Sequence, residues 1–147
     1  MGILKENEIK KILEDLRKRT DIFHSILFSI DGFIITLDQA FTAEGSDNFQ
    51  SLGAVCAGIV ALAGNSVENI NENNKIKQIC VQAGNQLESD AFQIIIESVS
   101  DDVLLAIVFP TIANFGVILF ELKQTISKLQ KYFLHTSNNK TAESLSV

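Results

Sequence analysis

The feature that most constrains this fold is the run LGAVCAGIVALAG at residues 52–64, which has no charge and no strongly polar side chain. Such a run needs cover, either from a membrane or from other protein surface. A membrane-spanning helix needs about 20 apolar residues, and this run is shorter and lies between the polar segments GSDNFQS and NSVENINENN. We therefore expect a helix buried on more than one side, in a cytoplasmic protein without membrane insertion.

The composition fits one globular domain. The chain has 147 residues, of which 46% are hydrophobic and 20% charged, enough for a core that needs no disulfide or metal. Cys56 and Cys80 are expected to be free, buried thiols, which suits a reducing compartment. A net charge of −6 argues against a nucleic-acid partner, since phosphate affinity depends on Lys and Arg. We predict a domain at residues 1–135 and a flexible tail at 136–147.

Hydrophobic periodicity predicts eight elements. Apolar positions at helical spacing predict a first helix at residues 6–19, and Asp31-Gly32 predicts a hairpin turn between two strands. The other predicted elements are strands at 22–29, 33–37, 75–82, 91–97 and 103–109, and helices at 47–71 and 115–134. Their order is α-β-β-α-β-β-β-α. This is an α+β domain with a five-stranded antiparallel sheet, one helix on one face and two on the other.

The central helix has two apolar sides on a helical wheel. The bulky side, expected to pack on the sheet, holds Leu52, Val55, Cys56, Ile59, Leu62, Ala63 and Ile70. The opposite side holds the small residues Ala54, Ala57, Gly58 and Ala61, followed by Asn65. It could pack on another helix of the same chain, but a second copy of the protein is the favoured occupant. A long charged residue at position 57 or 61 is then expected to break the dimer and spare the fold.

The strand after this helix is predicted to lie at an edge of the sheet. It is short and half polar, so its unpaired backbone groups could pair with a second copy and make one continuous sheet. This places Ile76, Gln78, Cys80 and Gln82 in the dimer interface. The alternative is a solvated edge protected by Lys75 and Lys77.

These features together resemble the roadblock (dynein light chain) family, whose members include bacterial polarity regulators. The resemblance covers roughly residues 9–134 and depends on the element order, the hairpin FSIDGFIITLD, the small-residue central helix and the segment ANFGVILFEL. It implies dimers formed through the central helix and the following strand. It also implies a platform for Ras-like small GTPases, or a subunit of motor and signalling complexes. Some members assist nucleotide hydrolysis on the partner without supplying a catalytic residue.

The residues themselves show no catalytic signature. His24 and His135 have no metal-ligand spacing, there is no GxSxG or GxxxxGK[ST] motif, and Cys56 has no basic neighbour to activate it. We expect no catalytic residue, no metal and no cofactor.

Three classes of function remain open. The favoured one is a non-enzymatic homodimeric platform that binds and regulates a Ras-like small GTPase. Its possible contacts are Asn65, Glu68 and Asn69, which border the dimer helix. The second is a light-chain-like subunit that pairs with another roadblock-type protein. The third, a small-molecule sensor, would need a polar pocket in the core, where the sheet-facing positions are instead apolar.

Overall fold

The elements of the fold follow the predicted order. The computed structural model describes residues 3–39, 46–85 and 91–145, with the backbone alone at residues 3, 46–50 and 134–145. Its elements are α1 (Ile3–Arg19), β1 (His24–Ser29), β2 (Ile34–Gln39), α2 (Ser46–Ile70), β3 (Gln78–Ala83), β4 (Phe92–Ser98), β5 (Val103–Pro110) and α3 (Phe115–Leu145). The strand bounds differ from the predicted ones by a few residues, as is usual at element ends.

The five strands form one antiparallel sheet in the order β2-β1-β5-β4-β3. β5 lies in the middle and is buried along nearly its whole length, which explains why VLLAIVF is apolar throughout rather than alternating. β3 lies at one edge, as predicted from its half-polar sequence. The positive φ of Gly84, 87°, marks the turn where β3 ends.

Helices cover both faces of the sheet, two on one side and one on the other. On the first face, α1 and α3 pack over buried side chains that include Leu13, Leu105 and Leu122. On the second face, α2 packs over a smaller cluster that includes Phe28 and Ala106. The predicted arrangement of one helix against two is therefore confirmed.

An ion pair joins the end of α1 to the strand at the far edge of the sheet. The Arg17 guanidinium donates to Asp38 through Nε at 2.6 Å and through Nη2 at 3.4 Å. Asp38 is only 5% exposed, so its carboxylate depends on this partner. The hydrogen bond to Asp38 in turn raises the pKa of Arg17. Bidentate geometry of this kind fixes orientation as well as adding energy.

The last helix is longer than predicted. The sequence indicated an end at about Leu134, but the backbone of α3 remains helical to Leu145. No Pro or Gly lies between these positions, and KTAESL contains good helix formers, so a Ser- and Asn-rich composition did not break the helix. The tail predicted at 136–147 is therefore helical over most of its length, and residues 146–147 lie outside the described part of the chain.

The Arg17–Asp38 pair gives a test of the fold. Asp38→Ala removes two charge-assisted hydrogen bonds and should lower the free energy of unfolding by about 1.5–3 kcal/mol. The matched control is Arg19→Ala, whose 3.8 Å contact with Glu121 is more exposed and should cost less than about 1 kcal/mol. Urea unfolding measures both. Equal losses in the two variants would contradict the role given to Asp38.

Candidate interaction surface

Two glycines lie at the contact between α2 and the β1–β2 hairpin, one on each side of it. A Cβ at Gly32, in the β1–β2 turn, would lie 2.9 Å from the Cα of Ala54, and Gly32 has a φ of 94°. A Cβ at Gly53 would lie 3.1 Å from both the Gly32 carbonyl oxygen and Cγ1 of Ile34. A side chain at Gly32 would force the α2 backbone to shift, and one at Gly53 would be tight. The first half of α2 is therefore held closely against the hairpin.

The sheet side of α2 is centred on two small residues, with Leu52 and Val60 partly buried beside them. Cys56 and Ala57 are 2% and 7% exposed and pack on the sheet, with Val60 beside them. The prediction that Ala57 faces away from the sheet is therefore wrong. The predicted sheet side was right for Leu52 and Cys56, which pack on the sheet cluster, but it left out Ala57, which lies at the centre of the contact.

The bulky residues assigned to the sheet are partly on the outside. Val55, Leu62 and Ile70 are 55%, 71% and 88% exposed, which corrects their predicted placement. Ala54, Gly58, Ala61 and Asn65 are exposed, as predicted. The outer side of α2 is thus more apolar than the sequence indicated. The signal that could have shown this is the Gly32 and Gly53 pair, which requires a close approach and turns the larger residues outward.

This apolar surface also changes the argument about membranes. Within the described residues, the helical stretch 51–70 has 20 residues and is long and apolar enough to cross a membrane by length and composition. The sequence argument from length counted only the 13-residue run, and the helix continues beyond it. Cys56 and Ala57 of this stretch pack on the sheet, but only 17% of its apolar window is buried. Length alone therefore does not exclude a membrane.

The outer edge of β3 presents free backbone groups at alternating residues. The Ser98 amide donates to the Lys77 carbonyl at 3.3 Å, and β3 pairs with β4 so that Gln78 lies opposite Glu97. Hydrogen-bonded pairs alternate along an antiparallel ladder, so Ile79 and Val81 bond to β4. Gln78, Cys80 and Gln82 then direct their N–H and C=O groups outward. These three residues were predicted at the interface, and their side chains are exposed; Ile76, which precedes β3, is half-buried.

The two cysteines differ in accessibility. Cys56 is buried, and burial raises the pKa of its thiol, which disfavours the nucleophilic thiolate. Cys80 is exposed, contrary to the prediction that both thiols are buried. The reason is its position on an edge strand, where the side facing the α1–α3 layer extends beyond the helices.

A groove of about 410 Å³ lies between the second half of α2 and the end of the sheet. Its lining includes Asn65 and Glu68, two of the three residues predicted as partner contacts. The third, Asn69, is exposed but does not line the groove. Ile30 and Asp101, from the two adjacent hairpin turns, also line it. Sequence reasoning missed them because only the paired strands bring these turns beneath α2.

Within the described ranges, no three His, Cys, Asp or Glu residues are grouped so that they could hold a metal ion. Burial lowers the pKa of His24, partly opposed by Asp38. The side chain of His135 lies outside the described part of the chain. What the molecule presents is an exposed apolar helix, an open strand edge and a groove, which are features of an interaction surface.

Residues 8–109, more than half of the sequence, match the model of the Roadblock/LC7 domain. The chain belongs to the Roadblock/LC7 family. This confirms the resemblance read from the hairpin and the central helix. No curated protein sequence matches the chain.

Solved roadblock structures share the fold with little sequence identity. MglB of Myxococcus xanthus has a TM-score of 0.76 at 18% identity, covering 92% of this chain and 94% of that one. A Roadblock/LC7 domain from Streptomyces avermitilis has a TM-score of 0.72 at 16% identity, covering 85% and 97%. A structure described as MglB with a tetrameric arrangement has a TM-score of 0.75 at 17% identity, covering 89% and 90%. At this level of identity the comparison shows that the fold is shared and carries no information about individual surface residues.

The two sides of α2 make opposite predictions for mutation. Leu62→Glu places a charge on the exposed side and should change association while leaving the unfolding transition close to wild type. Leu4→Glu, at an exposed leucine of α1, is the matched control and should change neither. Light scattering and thermal unfolding measure the two effects. If both variants have the wild-type mass, the outer side of α2 is not an interface.

Ala57→Glu should instead damage the fold, since it buries an unpaired charge against the sheet. We expect a loss of about 3 kcal/mol or more in the free energy of unfolding. Ala61→Glu, on the exposed side of the same helix, serves as the control and should cost far less. A fully stable Ala57→Glu protein would contradict the placement of Ala57.

Proposed function

We propose that this chain is a non-enzymatic, homodimeric platform that binds and regulates a Ras-like small GTPase in the cytoplasm. The observation that carries the proposal is the joint exposure of two self-complementary features. One is the apolar outer side of α2, with Val55 and Leu62, and the other is the free edge of β3. A domain exposing both has an unfilled surface of the kind that a protein partner covers.

A second copy of the same chain fits both features at once. In a two-fold dimer, α2 meets the partner's α2 and β3 meets the partner's β3, because the same patch serves both subunits. Leu62 and Val55 would then lose contact with water. The strand edges would join two five-stranded sheets into one. The tetrameric arrangement named for one MglB structure supports self-association in this fold.

The proposed partner follows from the family rather than from a catalytic centre. The structural neighbours include MglB. The resemblance to the roadblock family implies a platform that binds Ras-like small GTPases. Asn65, Glu68 and Asn69 are exposed near the end of α2, where a docked GTPase could reach them. Regulation in this mode uses binding energy to select one nucleotide state of the partner. It requires no nucleophile or base from this chain.

A second candidate uses the same surface differently. The exposed side of α2 and the β3 edge would equally fit another roadblock-type chain, which would make this protein a light-chain-like subunit of a heterodimer. The two proposals differ in what the purified chain does alone. A homodimer is stable by itself, whereas half of a heterodimer exposes its apolar surface and aggregates or stays monomeric.

Two measurements test the proposal. The first is the mass of the purified chain in solution, and the second is its binding to small GTPases. We expect a species of twice 16.2 kDa over a range of concentrations. Candidate Ras-like GTPases, loaded with GDP or with a non-hydrolysable GTP analogue, are then tested by calorimetry. Binding to one nucleotide state supports regulation. A dimer that binds neither state of any candidate would contradict the GTPase part alone.

The β3 edge gives a sharper prediction through Cys80. Gln78, Cys80 and Gln82 face outward, so an antiparallel pair centred on Cys80 uses all their backbone groups. Opposed Cα atoms in such a hydrogen-bonded pair are about 5.5 Å apart, within the roughly 4.4–6.8 Å span of a disulfide. Mild oxidation should therefore give a covalent dimer.

Two serine variants control this experiment. Cys80→Ser should abolish the covalent dimer on non-reducing gels, and Cys56→Ser should leave it unchanged because Cys56 is buried. A non-covalent dimer that never cross-links through Cys80 would show that the β3 edges do not meet at this register.

A further inference from the structure

The groove beside α2 has an apolar floor and a polar rim. Ile30, Val60 and Leu104 contribute apolar side chains from the β1–β2 turn, α2 and β5. Gly64 leaves the wall on the α2 side open, since a Cβ built there would have no heavy atom within 4 Å. Its volume of about 410 Å³ is in the range of sites that hold a ligand or an anchoring side chain. The groove is therefore wide enough to receive an aliphatic side chain from outside.

The charge around this groove is negative. Glu68, Asp101 and Lys75 are its charged lining residues, which leaves one negative charge in excess. Asp31 and Asp102 directly follow the lining residues Ile30 and Asp101 and add to it. Lys75 approaches Asp101 at 3.8 Å, but both side chains are more than 80% exposed, so this pair is worth little.

The end of α2 adds to this field. The C-terminus of a helix carries partial negative charge, which basic residues in the last turn normally balance. α1 follows this rule with Arg17, Lys18 and Arg19. The last turn of α2 has no basic residue and holds Glu68 instead. The negative C-terminal end of α2 is therefore not balanced by a basic residue of its own last turn, and a cation from a partner would be stabilised there.

We propose that this groove docks a basic segment of a partner protein, with one aliphatic side chain on the floor and Lys or Arg beside Glu68 and Asp101. The proposal deepens the proposed function, because it places the partner's contact next to Asn65 and Glu68. The groove lies on the side of α2 that carries Ala61 and Glu68. Val55 and Leu62 do not line the groove and lie on a different side of the helix. Charge complementarity selects a cationic protein segment over an anionic ligand or an acidic membrane surface.

Two synthetic peptides of opposite charge test the proposal directly. One combines Leu with Lys at helical spacing, and its twin has Glu in place of every Lys. Fluorescence anisotropy at low salt should show binding of the Lys peptide and little binding of the Glu twin. Salt should weaken the Lys complex, because exposed charges are screened. Equal binding of the two peptides would overturn the proposal.

Variants of the groove separate its shape from its charge. Gly64→Leu should fill the groove and abolish binding, whereas Gly64→Ala should retain it. Glu68→Lys with Asp101→Lys replaces two weak attractions by two repulsions and should weaken binding at low salt roughly tenfold. Glu6→Lys with Asp21→Lys, at exposed positions of α1 and the turn after it, changes net charge equally and should have little effect. Wild-type affinity in Gly64→Leu or in the Glu68 and Asp101 variant would overturn the groove as the site.

The same variants distinguish this proposal from the GTPase platform. If a GTPase binds the wild-type dimer and every groove variant equally well, the groove proposal fails and the platform stands. If the Lys peptide binds as expected while no GTPase binds, the platform fails and the groove stands. Light scattering on Gly64→Leu should show the wild-type mass, which confirms that the groove variant leaves self-association intact.

Discussion

The close contact between α2 and the β1–β2 turn determines most of what this molecule exposes. Gly32 and Gly53 let the helix backbone approach the turn until a single Cβ would clash with main-chain atoms. Cys56 and Ala57 form the buried centre of the contact, with Leu52 and Val60 partly buried beside them. Val55, Leu62 and Ile70 then lie on the exposed side of the helix. An apolar exposed helix is thus a consequence of tight packing.

The exposed helix, the strand edge and the groove follow from that one contact and from the strand order. β3 is left at an edge because β5 pairs with both β1 and β4 in the interior. The same order brings the β1–β2 and β4–β5 turns together, where the Ile30 amide donates to the Asp102 carbonyl at 2.9 Å. The second half of α2 passes above these turns and leaves the groove. The groove adjoins the other two features, since residues of α2 and Ile76, just before β3, line it.

Much of the fold could be predicted from sequence because its elements have strong local signals. The stripe of α1, the Asp31-Gly32 turn and the apolar β5 each identify their structure without tertiary information. The edge position of β3 followed from its alternating polar residues. Ile76, Gln78, Cys80 and Gln82 were predicted at the dimer interface for the same reason, although Cys80 was also expected to be buried and is exposed.

The sequence did not determine how α2 is oriented about its own axis, and therefore which of its sides faces the sheet. A helical wheel orders residues around an axis, but when all sides are apolar it does not say which side faces the sheet. For this reason Leu62 was predicted on the sheet side and Ala57 on the outer side, and the structure shows the reverse. The groove was missed because Ile30, Gly64 and Asp101 are far apart in sequence, and only the sheet topology brings them together. The end of α3 was missed because polar composition was taken as a sign of a loose tail.

The most direct test of the central claim is amide hydrogen exchange at β3 in the purified protein. Ile79 and Val81 donate to β4 within the chain and should be protected under all conditions, which makes them an internal control. Gln78, Cys80 and Gln82 point outward, so a paired edge predicts that their amides are protected too, and more strongly as protein concentration rises. Rapid exchange at these three residues at every concentration would contradict a dimer built on the β3 edge.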